Sequence, residues 1–125
     1  EHDEEEKLYT EQSPVAFIKN FPEFTCPFWN MKRNTANNTG KKVDVILSGM
    51  ETFGSAEREC DVDIMRNRFE TIMEGDYRKK LVQLFGEERV ESELKEYFEL
   101  SFIPRVGTGI GITRLIKSME KEGLL

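Results

Sequence analysis

Val43, Val45 and Leu47 alternate with Asp44, Ile46 and Ser48, the period of two that marks a strand with one apolar face. Ser48-Gly49 reads as a tight turn, because glycine adopts turn conformations that other residues resist, and a second strand starts at Met50. A two-residue loop pairs Leu47 with Met50 and Ile46 with Glu51. Asp44 and Glu51 then lie diagonally across the hairpin on one face, roughly 7–8 Å apart at the backbone. Two carboxylates converging there are costly unless a cation sits between them, and Mg2+ held by one or two carboxylates plus substrate phosphates meets that need. An amphipathic hairpin with two acids on its wet face accounts for the same pattern, and on the hairpin alone it is the better account. Arg58 follows Glu51 by seven residues, which in a regular strand turns it to the opposite face. A bulge at Gly54-Ser55 is expected to return it to the acidic face. A planar guanidinium beside a cation-binding pair suits a carboxylate-bearing substrate.

On either side of this hairpin the pattern predicts a sheet with helices attached. Glu1 to Ser13 is acidic and polar and is expected to be a frayed tail or the end of a longer segment. Val15 to Ile18, between Pro14 and Pro22, reads as a buried strand. Phe24 to Met31 reads as a second, with Pro27 favouring a bulge or edge and Phe24, Phe28 and Trp29 as core aromatics. Lys32 to Lys42 is a polar loop. After Arg58 the period becomes helical. Asp61 caps a helix with the stripe Val62, Met65, Phe69 and Ile72. Gly75-Asp76 breaks it and caps the next, with Tyr77, Leu81 and Leu84 inward and Gly86 as its stop. Glu87 to Leu100 forms a third, with Val90, Leu94, Tyr97 and Phe98 inward. These three helices, at about residues 61–100, read as an insertion carried by the sheet. Ser101 to Val106 is extended, and a last helix from Ile112 to Lys121 carries Ile112, Leu115, Ile116 and Met119 on one face and ends at Gly123.

Between those last two elements Gly107, Gly109 and Gly111 alternate, which strips the side chains from one face of an extended segment. A flat group such as a purine ring can then lie on the backbone. Arg114, in the first turn of the following helix, can stack on that ring or meet phosphate oxygens. The glycines match neither a dinucleotide fingerprint, which needs glycine where Ile112 stands, nor a P-loop, which needs a Lys-Ser/Thr ending. Close sheet–helix packing through small residues explains the glycines alone at least as well.

Composition narrows the partners. The 125 residues suffice for one modest core, and the net charge of −6 argues against a strong binder of phosphate backbones. No apolar run reaches the length of a membrane span, and the acidic opening Glu1–Glu6 is the reverse of a signal peptide, so a cytoplasmic protein without membrane partners is expected. Cys26 and Cys60 lie far apart with no C-x-x-C, and the match of Asn37-Asn38-Thr39 to a glycosylation acceptor is read as chance. The single histidine, His2, sits in the acidic tail, which removes histidine-based catalysis from this chain.

In this order the pieces resemble the C-terminal half of a class II aminoacyl-tRNA synthetase catalytic domain, of the aspartyl/asparaginyl subgroup. Gly107 to Leu115 resembles the third class-defining motif, G-x-G-x-G-x-x-R-[LF], and Asp44, Glu51 and Arg58 match the subgroup's D-x6-E-x6-R spacing. Pro22, Pro27, Phe28 and Trp29 match its Pro-x-x-x-x-[AP]-Phe-[Tyr/Trp] strand. The resemblance implies an α+β fold, an antiparallel sheet flanked by helices, occupying residues 14–125 behind an acidic segment at 1–13. It implies ATP bound by Gly107, Gly109, Gly111 and Arg114, with Arg114 on the adenine. It also implies Mg2+ on Asp44 and Glu51, the amino-acid side chain on Arg58, and catalytic roles for Glu51 and Arg114. Aspartate or asparagine would be the substrate, and a homodimer would form through upstream elements.

Three departures refine that expectation. Arg58-Glu59-Cys60 has neither the x-His of aspartyl nor the x-Glu of asparaginyl enzymes, Cys26 replaces a basic residue, and the Arg- and Pro-containing sequence that usually follows motif 3 is absent. These features look most like the archaeal-type asparagine synthetase related to asparaginyl-tRNA synthetase, which activates aspartate with ATP and passes the aspartyl group to ammonia. An asparaginyl- or aspartyl-tRNA ligase catalytic domain is the alternative reading, and an inactive, synthetase-derived nucleotide-binding module a further one. Motifs 1 and 2 are not in this sequence, so these residues alone are expected not to form an adenylate.

Overall fold

The computed structural model describes residues 2–25 and 28–125. At its centre β3 (Thr39–Leu47) and β4 (Met50–Arg58) form an antiparallel hairpin, with Leu47 opposite Met50 and Ile46 opposite Glu51. Ser48 and Gly49 both take left-handed conformations, at φ 48° and 83°, the turn whose twist matches a two-residue hairpin. A non-glycine residue resists that conformation, and Ser48 is held in it from outside. Its Oγ donates to Glu122 Oε1 at 2.7 Å, and its carbonyl accepts from Lys121 Nζ at 3.1 Å. Past Glu51 the register slips by one, so that Val45 faces Phe53 and Asp44 faces Gly54. The irregularity therefore lies at Thr52, not at Gly54-Ser55.

The flanking strands differ in detail from the sequence reading. β1 (Val15–Pro22) runs past Ile18 along the outside of β3, and β5 (Arg105–Ile110) runs antiparallel along β4, giving the order β1-β3-β4-β5. The supposed loop contains a two-residue strand, β2 (Arg33–Asn34), paired with the start of β3 across a turn that Asn38 closes at φ 52°. No strand spans 24–31 among the described residues. Glu23–Thr25 is a single 3-10 turn, and Met31 makes one bridge to Arg58. Cys26 and Pro27 lie outside the described residues. Phe24 and Phe28 are exposed, whereas Trp29 packs edge-on against Phe69, Tyr97 and Phe98. That one large side chain ties the end of this stretch to the helical core, while Met31 stays bridged to the sheet.

That core is built from α2 (Val62–Thr71), α3 (Asp76–Phe85) and α4 (Glu87–Phe98). Met65, Phe69, Val90, Leu94 and Phe98 are buried in it. Asp61 caps α2 by accepting from the Ile64 amide at 3.0 Å, as its position predicts, but Asp76 makes no cap bond and instead meets Lys79 Nζ at 3.0 Å. Leu84 is exposed, not inward. At the last turn of α3 it is Phe85 that borders the aromatic cleft with Tyr77 and Leu81. Arg78 ties the three helices by pairing with Glu70 at 3.0 Å, Glu91 at 2.6 Å and Glu87.

Glu59 joins this unit to the sheet. It is buried, accepts from the Cys60 and Asp61 amides, and pairs with Arg68 Nη1 at 3.0 Å, while Arg68 also donates to the Met31 carbonyl. Replacing Arg68 with methionine leaves that carboxylate without its charge partner. The change is expected to lower stability by about 2–3 kcal/mol in urea unfolding, short of the larger figure for full burial because the guanidinium is partly exposed.

Two more elements depart from expectation. Residues His2–Glu11 form a helix, α1, not a frayed tail, and Tyr9 of that helix lies 3.8 Å beneath Lys121 Nζ. α5 (Ile112–Lys121) has the predicted bounds, yet it docks through the row Arg114, Ser118 and Glu122. Ser118 donates to the Leu47 carbonyl at 3.0 Å, while Ile112 and Ile116 stay exposed. The apolar stripe is thus split, with Leu115 and Met119 half-buried beside the polar docking row and Ile112 and Ile116 outside it. Among the described residues no helix is long and apolar enough to cross a membrane.

Candidate functional site

Side chains of opposed residues leave an antiparallel sheet on the same face, so the register fixes which groups meet. Asp44 opposes Gly54, Lys42 opposes Ala56, and Ile46 opposes Glu51. The extra residue at Thr52 turns Gly54, Ala56 and Arg58 onto the face that carries Asp44 and Glu51. On the next strand Gly109 opposes Gly54 and Gly107 opposes Ala56. The shared face therefore has a floor of three glycines and one alanine, with acids at one end and Arg58 at the other. Gly54 and Arg58 are four residues apart along β4, about 13 Å of strand.

The acids converge on bare backbone. A Cβ at Gly54 would lie 3.2 Å from Glu51 Oε1 and 3.5 Å from Asp44 Oδ1. Asp44 is only 5 % exposed, and its Oδ1 is buried without a hydrogen-bond partner. A buried carboxylate oxygen left without a partner is costly. The other oxygen, Oδ2, pairs with Lys42 Nζ at 2.5 Å. These donors fit a hard cation, which prefers carboxylate oxygens and completes its shell from phosphates or water. Among the described residues no group of three or more His, Cys, Asp or Glu is placed to hold a metal.

The glycines of β5 and its end do different jobs. At Gly107 a Cβ would come within 2.7 Å of Arg58 Nε, so the Arg58 side chain lies across its backbone. At Gly111 a Cβ would meet the Arg114 stem at 3.4 Å, and the Gly111 amide donates to the Thr52 carbonyl at 2.8 Å. At Gly109 a Cβ would meet nothing within 4 Å. Packing within the protein accounts for glycine at 107, whereas at 111 a Cβ would make only ordinary contacts and at 109 none, so that the missing side chain at 109 keeps the floor open. Arg114 is anchored to the same corner, its Nη1 donating to the Glu51 carbonyl at 2.7 Å and standing 4.0 Å from Glu51 Oε2.

The structure thus gathers Asp44, Glu51, Gly107, Gly109 and Arg58 on one surface and brings Gly111 and Arg114 to its edge. Beside the acids lies a cleft of about 320 Å³, lined by Lys42, Asp44, Ile46 and Glu51 and bordered by Glu4 and Leu8 of α1. Two participants escaped the sequence reading, Gly54 as the meeting point of the carboxylates and Lys42 as the partner of Asp44. The period of two already placed Lys42 on the Asp44 face. The role of Gly54 needed the register slip.

The family profile described as tRNA synthetases class II (D, K and N) matches residues 2–123. Among solved structures, asparaginyl-tRNA synthetase from Entamoeba histolytica in complex with asparaginyl-adenylate is 16 % identical at a TM-score of 0.75, covering 98 % of this chain and 26 % of that one. Asparaginyl-tRNA synthetase from Pyrococcus horikoshii, complexed with asparaginyl-adenylate, is 21 % identical at a TM-score of 0.70, covering 97 % and 26 %. Aspartyl tRNA synthetase from Entamoeba histolytica is 20 % identical at 0.65, covering 99 % and 24 %. The chain spans about a quarter of the length of these proteins, and at such identities the likeness is one of fold. No significant match was found among curated proteins.

Proposed function

Because the chain belongs to the class II tRNA synthetases of the D, K and N group, we propose that its glycine-floored face forms the nucleotide and amino-acid site of an ATP- and Mg2+-dependent ligase that activates aspartate as its adenylate. The observation that carries this reading is the unpartnered Asp44 Oδ1 converging with Glu51 Oε1 over Gly54. When bound, Mg2+ would neutralise triphosphate charge as it develops. Asp44 and Glu51 are the residues that would hold it. Gly109 leaves room for a flat group, and Gly111 seats Arg114 beside Glu51, where its guanidinium can lie on the adenine. Arg58, extended over Gly107, would orient the substrate's side chain. A guanidinium there suits a carboxylate or an amide and disfavours the ammonium of lysine.

The acceptor that takes the activated group is ammonia in our reading, which gives asparagine synthesis. It rests on the departures at Arg58-Glu59-Cys60 and Cys26. The fold-level likeness to enzymes named as tRNA synthetases favours the second reading, a tRNA ligase. Aspartate-dependent exchange serves the ammonia and aspartyl-tRNA readings, and asparagine-dependent exchange the asparaginyl-tRNA one. Motif 1 and motif 2 elements supplied outside these residues would complete the α-phosphate site and a homodimer, in a cytoplasmic enzyme.

Glu51→Gln keeps size and hydrogen bonding but removes one charge from the cation pair. In a full-length enzyme, with the motif 1 and motif 2 elements present, aspartate-dependent pyrophosphate exchange is expected to fall about 10²-fold, the usual cost of losing one electrostatic stabiliser. An undiminished rate at saturating Mg2+ removes Glu51 from the site. Adding ammonia or tRNA to preformed adenylate then tells the two acceptors apart.

A further inference from the structure

From the ion pair at the side of the cleft we infer that Lys42 makes cation binding at Asp44 and Glu51 depend on the nucleotide, an inference that rests on the metal-site reading above. Lys42 and Asp44 are two residues apart on β3, so their side chains leave the same face. Lys42 Nζ lies 2.5 Å from Asp44 Oδ2 and 4.1 Å from the centre of the Phe21 ring. The two side chains are 23 % and 7 % exposed, so water screens the pair poorly. The ammonium cancels one of the two negative charges that an arriving cation would meet.

It does so without using the oxygen that faces Glu51. Oδ2 takes the lysine, and Oδ1, which has no hydrogen-bond partner, stays on the Gly54 side. A divalent cation held by Asp44 would share one carboxylate with an ammonium and be repelled by it. The oxygens of a triphosphate bring negative charge of their own and outweigh that repulsion. The protein without nucleotide therefore holds a lone cation weakly, and metal and nucleotide enter together. Without Lys42 the two carboxylates would hold a divalent ion before the nucleotide arrived.

The test titrates Mn2+, which is paramagnetic and reports its free concentration directly, into the purified protein with and without a non-hydrolysable ATP analogue. Lys42→Met is expected to bind Mn2+ about tenfold more tightly than the unaltered protein when nucleotide is absent, and within about threefold of it when the analogue is present. Lys42→Arg, which keeps the charge, is expected to match the unaltered protein in both states. Equal affinity of Lys42→Met and the unaltered protein without nucleotide, while the analogue promotes binding to both, overturns the role of Lys42 and leaves the metal site standing. Absence of Mn2+ binding to every variant with the analogue present overturns the metal site and this inference together. Lys42→Gln repeats the comparison should the methionine variant lose its circular dichroism signature.

Discussion

In a full-length enzyme that carries the motif 1 and motif 2 elements, replacing Gly54 with valine is expected to lower aspartate-dependent pyrophosphate exchange by on the order of 10³, the upper range for disrupting a preorganised electrostatic site. The first added carbon already comes within 3.2 Å of Glu51 Oε1 and 3.5 Å of Asp44 Oδ1. The two γ-carbons of valine then stand in the space where the carboxylates converge and a cation would be held. Glu51→Gln removes one charge and leaves the space open, so the valine variant is the more damaging of the two. The backbone tolerates the change, because Gly54 is not among the glycines with positive φ, and valine favours strands. Far-UV circular dichroism is therefore expected to stay the same while exchange is lost, with Gly54→Ala in between. Full activity of the valine variant would show that the floor is not where the ligand lies.

The second large effect is on stability. Phe69→Ala is expected to destabilise the protein by about 3–5 kcal/mol, the range for removing a buried aromatic ring. Phe69 is 2 % exposed, and its ring meets Trp29 edge-on at 5.5 Å and Tyr77 at 5.7 Å. The neighbours cannot close the gap easily, since Trp29 is also held by Tyr97 and Phe98. Trp29 is the only tryptophan, so its fluorescence reports directly on the packing lost. Urea unfolding followed by that signal gives the midpoint shift. A loss below about 1 kcal/mol would mean that the helices rest on their ion pairs instead, a weaker kind of support.

Much of this protein was legible from its sequence, and for local reasons. The hairpin from Val43 to Arg58 is written in an alternating pattern and a Ser-Gly turn, both decided within a few residues. The helix bounds around Asp61, Gly86 and Gly123 follow from capping and from glycine's tolerance of positive φ, at 86° and 69° in the two glycines. The family was legible too, because Asp44, Glu51, Arg58 and the alternate glycines carry a spacing specific enough to resemble one group. Their place on one face was expected from the two-residue turn and a bulge, but the position of the bulge was not. Whether Arg58 shares a face with the acids depends on a single register slip, and the sequence points to Gly54-Ser55 where the structure puts it at Thr52. One extra residue anywhere in β4 reverses the faces beyond it, so local preference cannot say where the slip falls. Packing decided it, along with the polar docking row of α5, the seating of Trp29 among the helices, and the pairing of Lys42 with Asp44. Each joins groups whose energies depend on neighbours brought together only when the chain closes, which no window of sequence contains.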